Sequence, residues 1–193
     1  MFIKDWKKEI FTIPNLLSLF RLILIPVYMV IYLNATEPHQ YFIAGSILAV
    51  SCLTDMIDGK IARHYNMIST VGKILDPVAD KITQFTLTMC LSLKHPPLRP
   101  VLLLFIIKEV FQLVAGLVNL RKGKMLPGAL LAGKVCTTIL FVSLIALVLF
   151  PDLPPAVVNL VALIDTVFLV ISFVSYILAY FGKNTKVQDM DRK

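Results

Sequence analysis

Charge and cysteine are both sparse in this sequence, and each shortage rules something out. Asp, Glu, Lys and Arg together make 16% of the 193 residues, against 58% hydrophobic, with a mean hydropathy of +0.81. A soluble domain of this size normally carries more charge and fewer long apolar runs. The three cysteines, Cys52, Cys90 and Cys136, stand singly in apolar stretches, with no CxxC spacing and no neighbouring histidine. That excludes a disulfide framework and a zinc site and leaves small packing residues. No internal repeat, low-complexity segment or soluble domain interrupts the chain. The net charge of +7 describes one basic face suited to anionic lipid headgroups, and nothing suggests nucleic acid.

What is present is a series of apolar runs: Pro14–Leu33, Tyr41–Thr54, Ile74–Leu93, Pro100–Leu120, Ala129–Phe150 and Ala156–Phe181. A hydrocarbon core about 30 Å thick needs about 20 apolar residues as helix, and backbone groups in lipid must bond within the segment. The expected fold is therefore an all-α integral membrane protein with six transmembrane helices. The second run is too short to span unless it extends into the acidic segment after it. The first run is too long for a signal-peptide core, holds Arg21 and lacks a small-residue cleavage pattern, so it is expected to be retained. Before it, Phe2, Ile3, Trp6, Ile10 and Phe11 fall near one helical face opposite the lysines, which predicts a short interfacial helix over residues 1–12. One membrane domain is expected over residues 1–193, with a cytoplasmic tail at 183–193.

Basic residues set the orientation. Fifteen of the 19 Lys and Arg fall in the N-terminal segment, the segment around Asp55–Asp80, the loop RKGKMLPG with Lys134, and the tail. The other side holds only Lys94 and Arg99. Positive charge stays inside, so both termini and the acidic segment are expected to face the cytoplasm.

That acidic segment, LTDMIDGKIARHYNMISTVGKILDPVADKI, carries the chemistry. A carboxylate at membrane depth costs roughly 3 kcal/mol, and four facing lipid would cost on the order of 10 kcal/mol. Asp55 and Asp58 are three apart, and Asp76 and Asp80 four apart, so each pair projects from one helical face. Cap and turn duties explain one or two such acids, not four in matched pairs. If the two helices are antiparallel neighbours, the faces meet as a cluster of oxygen donors without His or Cys. Such a set favours Mg²⁺ or Mn²⁺ over zinc, and four carboxylates can hold two ions about 4 Å apart. Gly59 and Ala62 keep side-chain bulk low beside the acids, Gly72 permits close helix approach, and Arg63 can meet a phosphate.

Asp55, Asp58, Gly59, Ala62, Arg63, Gly72, Asp76 and Asp80 fill the pattern D-x2-D-G-x2-A-R-x8-G-x3-D-x3-D. The chain thereby resembles the CDP-alcohol phosphotransferase family. The likeness extends to TIPNLLSLFRLILIP, with Asn15, Ser18 and Arg21, and to AGKVCTT, with Gly133, Lys134 and Thr137. It implies a six-helix homodimer that transfers the phosphatidyl group of CDP-diacylglycerol to an acceptor alcohol and releases CMP. By the same resemblance, Asp55, Asp58, Asp76 and Asp80 bind metal and Asp80 is also the catalytic base. Gly59 and Ala62 make room for the nucleotide, with Asp55, Asn15 and Arg63 beside it.

For the acceptor, Lys108, Gln112, Ala115 and Asn119 form one stripe on the fourth helix, and Lys134, Thr137 and Thr138 open the fifth. Lysines in a cytoplasmic cavity suit an acceptor that carries a phosphate. Glycerol 3-phosphate is the first choice, with Lys108, Arg121, Lys134 and Thr137 as its binding residues. Glycerophosphate-using relatives usually carry a basic residue where this chain has Gly116, and IIKEVFQLVAGLVNLRKGK also resembles the cardiolipin-synthase branch, whose acceptor is phosphatidylglycerol. Membrane prenyltransferases share paired Asp motifs but not the D-G-x2-A-R continuation. A divalent-cation transporter would be expected to show repeats and acids at the midplane.

Overall fold

The computed structural model describes residues 13–64, 72–125, 130–181 and 188–189, with side chains described for 15–54, 75–123 and 130–181. Six long helices follow one another: α1 (Ile13–Asn34), α2 (Pro38–His64), α3 (Gly72–Lys94), α4 (Arg99–Arg121), α5 (Leu131–Leu149) and α6 (Pro155–Phe181). A 3-10 turn at Pro96–Leu98 leads into α4, and two short strands, β1 (Lys124–Met125) and β2 (Gln188–Asp189), pair antiparallel. The interfacial helix expected at 1–12 lies outside the described residues, as does most of the tail.

Local chemistry explains the helix ends. Asn34 Nδ2 donates to Val30 O at 2.8 Å where α1 stops. At the start of α2, Gln40 Oε1 accepts from the backbone N–H groups of Thr36 and Glu37 at 2.7 and 3.1 Å. It thereby satisfies donors that the first helical turn leaves open. Paired prolines at 96 and 97 end α3, since neither can donate to a continuing helix. Helix α4 closes on Gly123, whose φ of +69° is the left-handed conformation glycine tolerates.

α1, α4, α5 and α6 are each long and apolar enough to cross a membrane, and the protein is an integral membrane protein by that measure. Their outer faces carry exposed Ile23, Leu103, Val142 and Leu163, as a lipid-facing surface requires. α2 and α3 have 27 and 23 residues, or about 40 and 34 Å at 1.5 Å per residue. Length is sufficient for both, and α3 carries Asp76, Asp80 and Lys81 within its run. α2 continues as helix through Asp55 and Asp58, and α3 buries Thr83, Gln84, Thr86, Thr88 and Ser92.

The chain forms two compact units, Met1–Cys90 with Val148–Pro151, and Leu91–Leu147 with Asp152–Lys193. In the first, α1 packs along α2 after a three-residue connection, which makes the two antiparallel. Tyr41 at the start of α2 meets Tyr32 edge to face, with centroids 5.6 Å apart. In the second, α4 packs on α6, with Phe111 edge to face on Phe173 at 5.2 Å.

Candidate active site

In the first unit, one face of α1 carries Asn15, Ser18 and Arg21 at intervals of three, all of them buried. This row lies on the acid-bearing edge of α3. Ser18 Oγ donates to Asp76 Oδ1 at 2.5 Å, and Arg21 Nη1 donates to Asp80 Oδ1 in an ion pair. The two contacts advance together along both chains, so α1 and α3 run parallel here. The Arg21 side chain is 3% exposed and that of Asp80 is 50% exposed. One end of the pair is thus sealed and the other open.

One turn further along lies a small cavity, with room for about one water molecule. It is lined by Leu24, Ile25 and Tyr28 of α1, Ile47, Leu48 and Ser51 of α2, and Thr83, Thr86 and Leu87 of α3. Three helices therefore converge on one point. From it, Arg21 lies one turn back along α1 and Asp80 one turn back along α3. On antiparallel α2 the matching step leads forward from Ser51 to Asp55, and the next turn to Asp58.

The side chains of Asp55, Asp58, Gly59, Ala62 and Arg63 lie outside the described residues; their backbone is helical within α2. Among the described residues, no three His, Cys, Asp or Glu side chains group as ligands for a metal ion. Asp76 and Asp80 are two of the four expected donors. Their carboxylates lie on one edge of α3, next to a row that brings no sulfur or imidazole. An oxygen-only donor set of this kind fits a hard divalent cation.

The residues expected around the acceptor fall in the second unit. Lys108 is 2% exposed, with Nζ 2.7 Å from Glu109 Oε1 and 5.9 Å from the centroid of the Tyr176 ring. Tyr176 in turn covers Gly133: a Cβ built there would stand 2.5 Å from the Tyr176 hydroxyl. Lys108, Tyr176 and the first turn of α5 are thereby neighbours. Lys134 is exposed, and Thr137 Oγ1 lies 3.0 Å from Gly133 O and 2.9 Å from Lys134 O. Arg121 is exposed at the end of α4. Of the fourth-helix stripe, Asn119 Nδ2 turns back on Ala115 O at 2.8 Å, while Gln112 Oε1 is buried with no hydrogen-bond partner among the described residues.

Two sets of contacts were not legible in the sequence. Ser18 and Arg21 were visible in the family-like first helix, but their contact with Asp76 and Asp80 was not. Asp165, without a partner in the sequence, faces Ser143 of α5, whose Oγ lies 2.9 and 2.7 Å from the two carboxylate oxygens.

Comparison with known proteins bears on this arrangement. A CDP-diacylglycerol--glycerol-3-phosphate 3-phosphatidyltransferase of Aquifex aeolicus is 30% identical over 174 residues, covering 88% of this chain and 96% of that protein. Proteins of the same name from Escherichia coli K12 and Shigella flexneri are 44% identical over 86 residues, 44% of this chain and 46% of theirs. Residues 11–180 match one family along nearly all of the helical region just described, including both acid-bearing helices and the α1 row that holds Asp76 and Asp80; the chain belongs to the CDP-alcohol phosphatidyltransferase family.

Proposed function

We propose that this protein transfers the phosphatidyl group of CDP-diacylglycerol to glycerol 3-phosphate, giving phosphatidylglycerol phosphate and CMP. The observation that carries the reading is the convergence of α1, α2 and α3 on one cavity, with Asp80 held one turn away and Asp76 a turn beyond it. The near full-length similarity to the Aquifex protein supports the choice of acceptor. Phosphatidylglycerol, the acceptor in the cardiolipin-synthase branch, is the competing substrate.

In this reading the acceptor hydroxyl attacks the phosphorus that bears diacylglycerol, the bridging P–O bond breaks, and CMP leaves with the bond pair. Asp80, half-exposed, takes the hydroxyl proton. Asp55, Asp58, Asp76 and Asp80 are the residues that would hold Mg²⁺ or Mn²⁺, two ions in all. A divalent cation held by them would supply positive charge to neutralise the diphosphate and the departing phosphate. Asn15, Asp55 and Arg63 bind the nucleotide, with Gly59 and Ala62 leaving it room. Lys108, Arg121, Lys134 and Thr137 hold the acceptor, and the exposed pair Arg121 and Lys134 suits its phosphate best.

The proposal extends to six membrane crossings in a single domain, an interfacial N-terminal helix, both termini and the active site on the cytoplasmic face, and a homodimer. Its test is CMP release from purified protein given CDP-diacylglycerol, Mg²⁺ and one acceptor at a time. Release with phosphatidylglycerol but not with glycerol 3-phosphate would overturn the acceptor. Asp80→Asn should abolish transfer while CDP-diacylglycerol still binds; full turnover in that variant would remove Asp80 as the base.

A further inference from the structure

We infer that Arg21, with Ser18 one turn before it, is a positioning residue that fixes the reactive carboxylates of α3 before substrate arrives. The inference rests on the proposed role of Asp76 and Asp80. Its own evidence is the pair of contacts between α1 and α3. Arg21 is buried at 2% exposure in the first apolar helix, and a guanidinium stays charged at any working pH. Such a group is retained at that depth only with an anionic partner, and the partner here is Asp80 Oδ1.

Asp80 is a short side chain with two torsions, half-exposed, and by itself would sample several rotamers. A charge-assisted bond from a sealed arginine selects one of them. Ser18, fully buried, does the same for Asp76 with an uncharged hydroxyl. Both donors come from one rigid helix at a spacing of three, so the carboxylates are locked relative to each other. Support of this kind, from residues behind the ones that touch the reactants, commonly sets whether a site is competent. Arg21 also offsets one negative charge beside the Asp76 and Asp80 carboxylates, which eases the approach of an anionic diphosphate.

The test uses the full chain in lipid nanodiscs, with Arg21→Gln, Arg21→Lys and Ser18→Ala compared to wild type. Mn²⁺ binding is followed by electron paramagnetic resonance without substrate, and kcat and KM are measured by CMP release. Arg21→Gln is expected to lose about 10–100-fold in Mn²⁺ affinity and in kcat, with the KM for CDP-diacylglycerol nearly unchanged. Arg21→Lys should recover part of the loss, and Ser18→Ala should show a smaller loss of the same kind. Should Arg21→Gln misfold, the lysine and alanine variants carry the test by the same two readouts. Tighter Mn²⁺ binding in Arg21→Gln would overturn the inference, because the arginine would then compete with cations for Asp80. So would kcat and affinity equal to wild type. A wild-type protein that takes up no Mn²⁺ and releases no CMP would instead sink the proposed function itself.

Discussion

Gly133 sits where the second unit has no room for a side chain. A Cβ there would lie 2.5 Å from the Tyr176 hydroxyl, 2.9 Å from Cε2 and 3.1 Å from Cζ. Tyr176 cannot swing aside freely, because it is buried, stacked against Tyr180 with centroids 6.5 Å apart, and covered by the Lys108 ammonium. Gly133→Ala therefore overpacks a closed contact, at a cost of about 1–3 kcal/mol. For a chain of this size that corresponds to a melting temperature lower by about 2–12 °C. The displacement should also reach function. Gly133 adjoins Lys134, and its carbonyl lies within hydrogen-bond distance of the Thr137 hydroxyl. The KM for glycerol 3-phosphate should thus rise more than the KM for CDP-diacylglycerol. Adding Tyr176→Phe removes the nearest of the three contacts, so the double variant should regain part of the stability. A scanning-fluorimetry melt and paired KM values decide the matter. Unchanged melting together with an unchanged acceptor KM would refute the packing argument and its link to the acceptor.

Other outcomes follow from individual side chains. The Tyr28 hydroxyl is buried with no hydrogen-bond partner among the described residues, so Tyr28→Phe should leave stability unchanged or raise it by about 1 kcal/mol; a clear fall in melting temperature would contradict this. Ser143→Ala leaves the Asp165 carboxyl without its hydroxyl on α5 and should cost about 0.6–1.7 kcal/mol. The double variant with Asp165→Leu should be less destabilised than Ser143→Ala alone, and an equal or greater loss would argue against the clamp. At the end of α3, burial and then the charge of Lys94 hold the His95 imidazole below its usual pKa. The unfolded chain therefore binds the extra proton, and the stability tied to His95 is full above about pH 6.5 and is lost as pH falls below it. His95→Gln should reduce the drop in melting temperature between about pH 7.5 and 5.5, and an unchanged drop would exclude His95 as its source.

The sequence made the membrane helices and the acid pairs legible because both signals are local. Run length gives the spans, and spacings of three and four put Asp55 with Asp58, and Asp76 with Asp80, on shared faces whatever lies opposite. What it could not give was anything that depends on helix register. Ser18 and Asp76 are 58 residues apart and Arg21 and Asp80 59, and their meeting requires α1 and α3 to run parallel at one offset. The fourth-helix stripe shows another contact that periodicity does not carry. It placed Lys108 with Gln112 and Asn119, but the lysine's partner is Glu109, a neighbour in sequence that a periodicity argument assigns to another face. Thr137 and Asn119, marked as cavity residues by their polarity, also lie within hydrogen-bond reach of backbone carbonyls of their own helices, as such side chains commonly do in apolar surroundings.

Charge inside a membrane protein can be structural or chemical, and the two units show how burial separates them. In the second, Asp165 is 1% exposed and meets a serine of the adjacent helix; Lys108, equally buried, meets a glutamate beside it. The Asp165 carboxylate is satisfied by the protein and presents little to anything outside it. In the first, Arg21 is sealed and its partner Asp80 is half-exposed. An aspartate kept accessible although a buried arginine holds it has been anchored without being enclosed, which is the condition a carboxylate must meet to exchange a proton or receive a cation. Hydropathy brings both Asp165 and Asp80 into view as acids in apolar runs. The exposure of the carboxylate, set by which helix stands opposite, is what suits one to the proposed reaction chemistry and the other to helix packing.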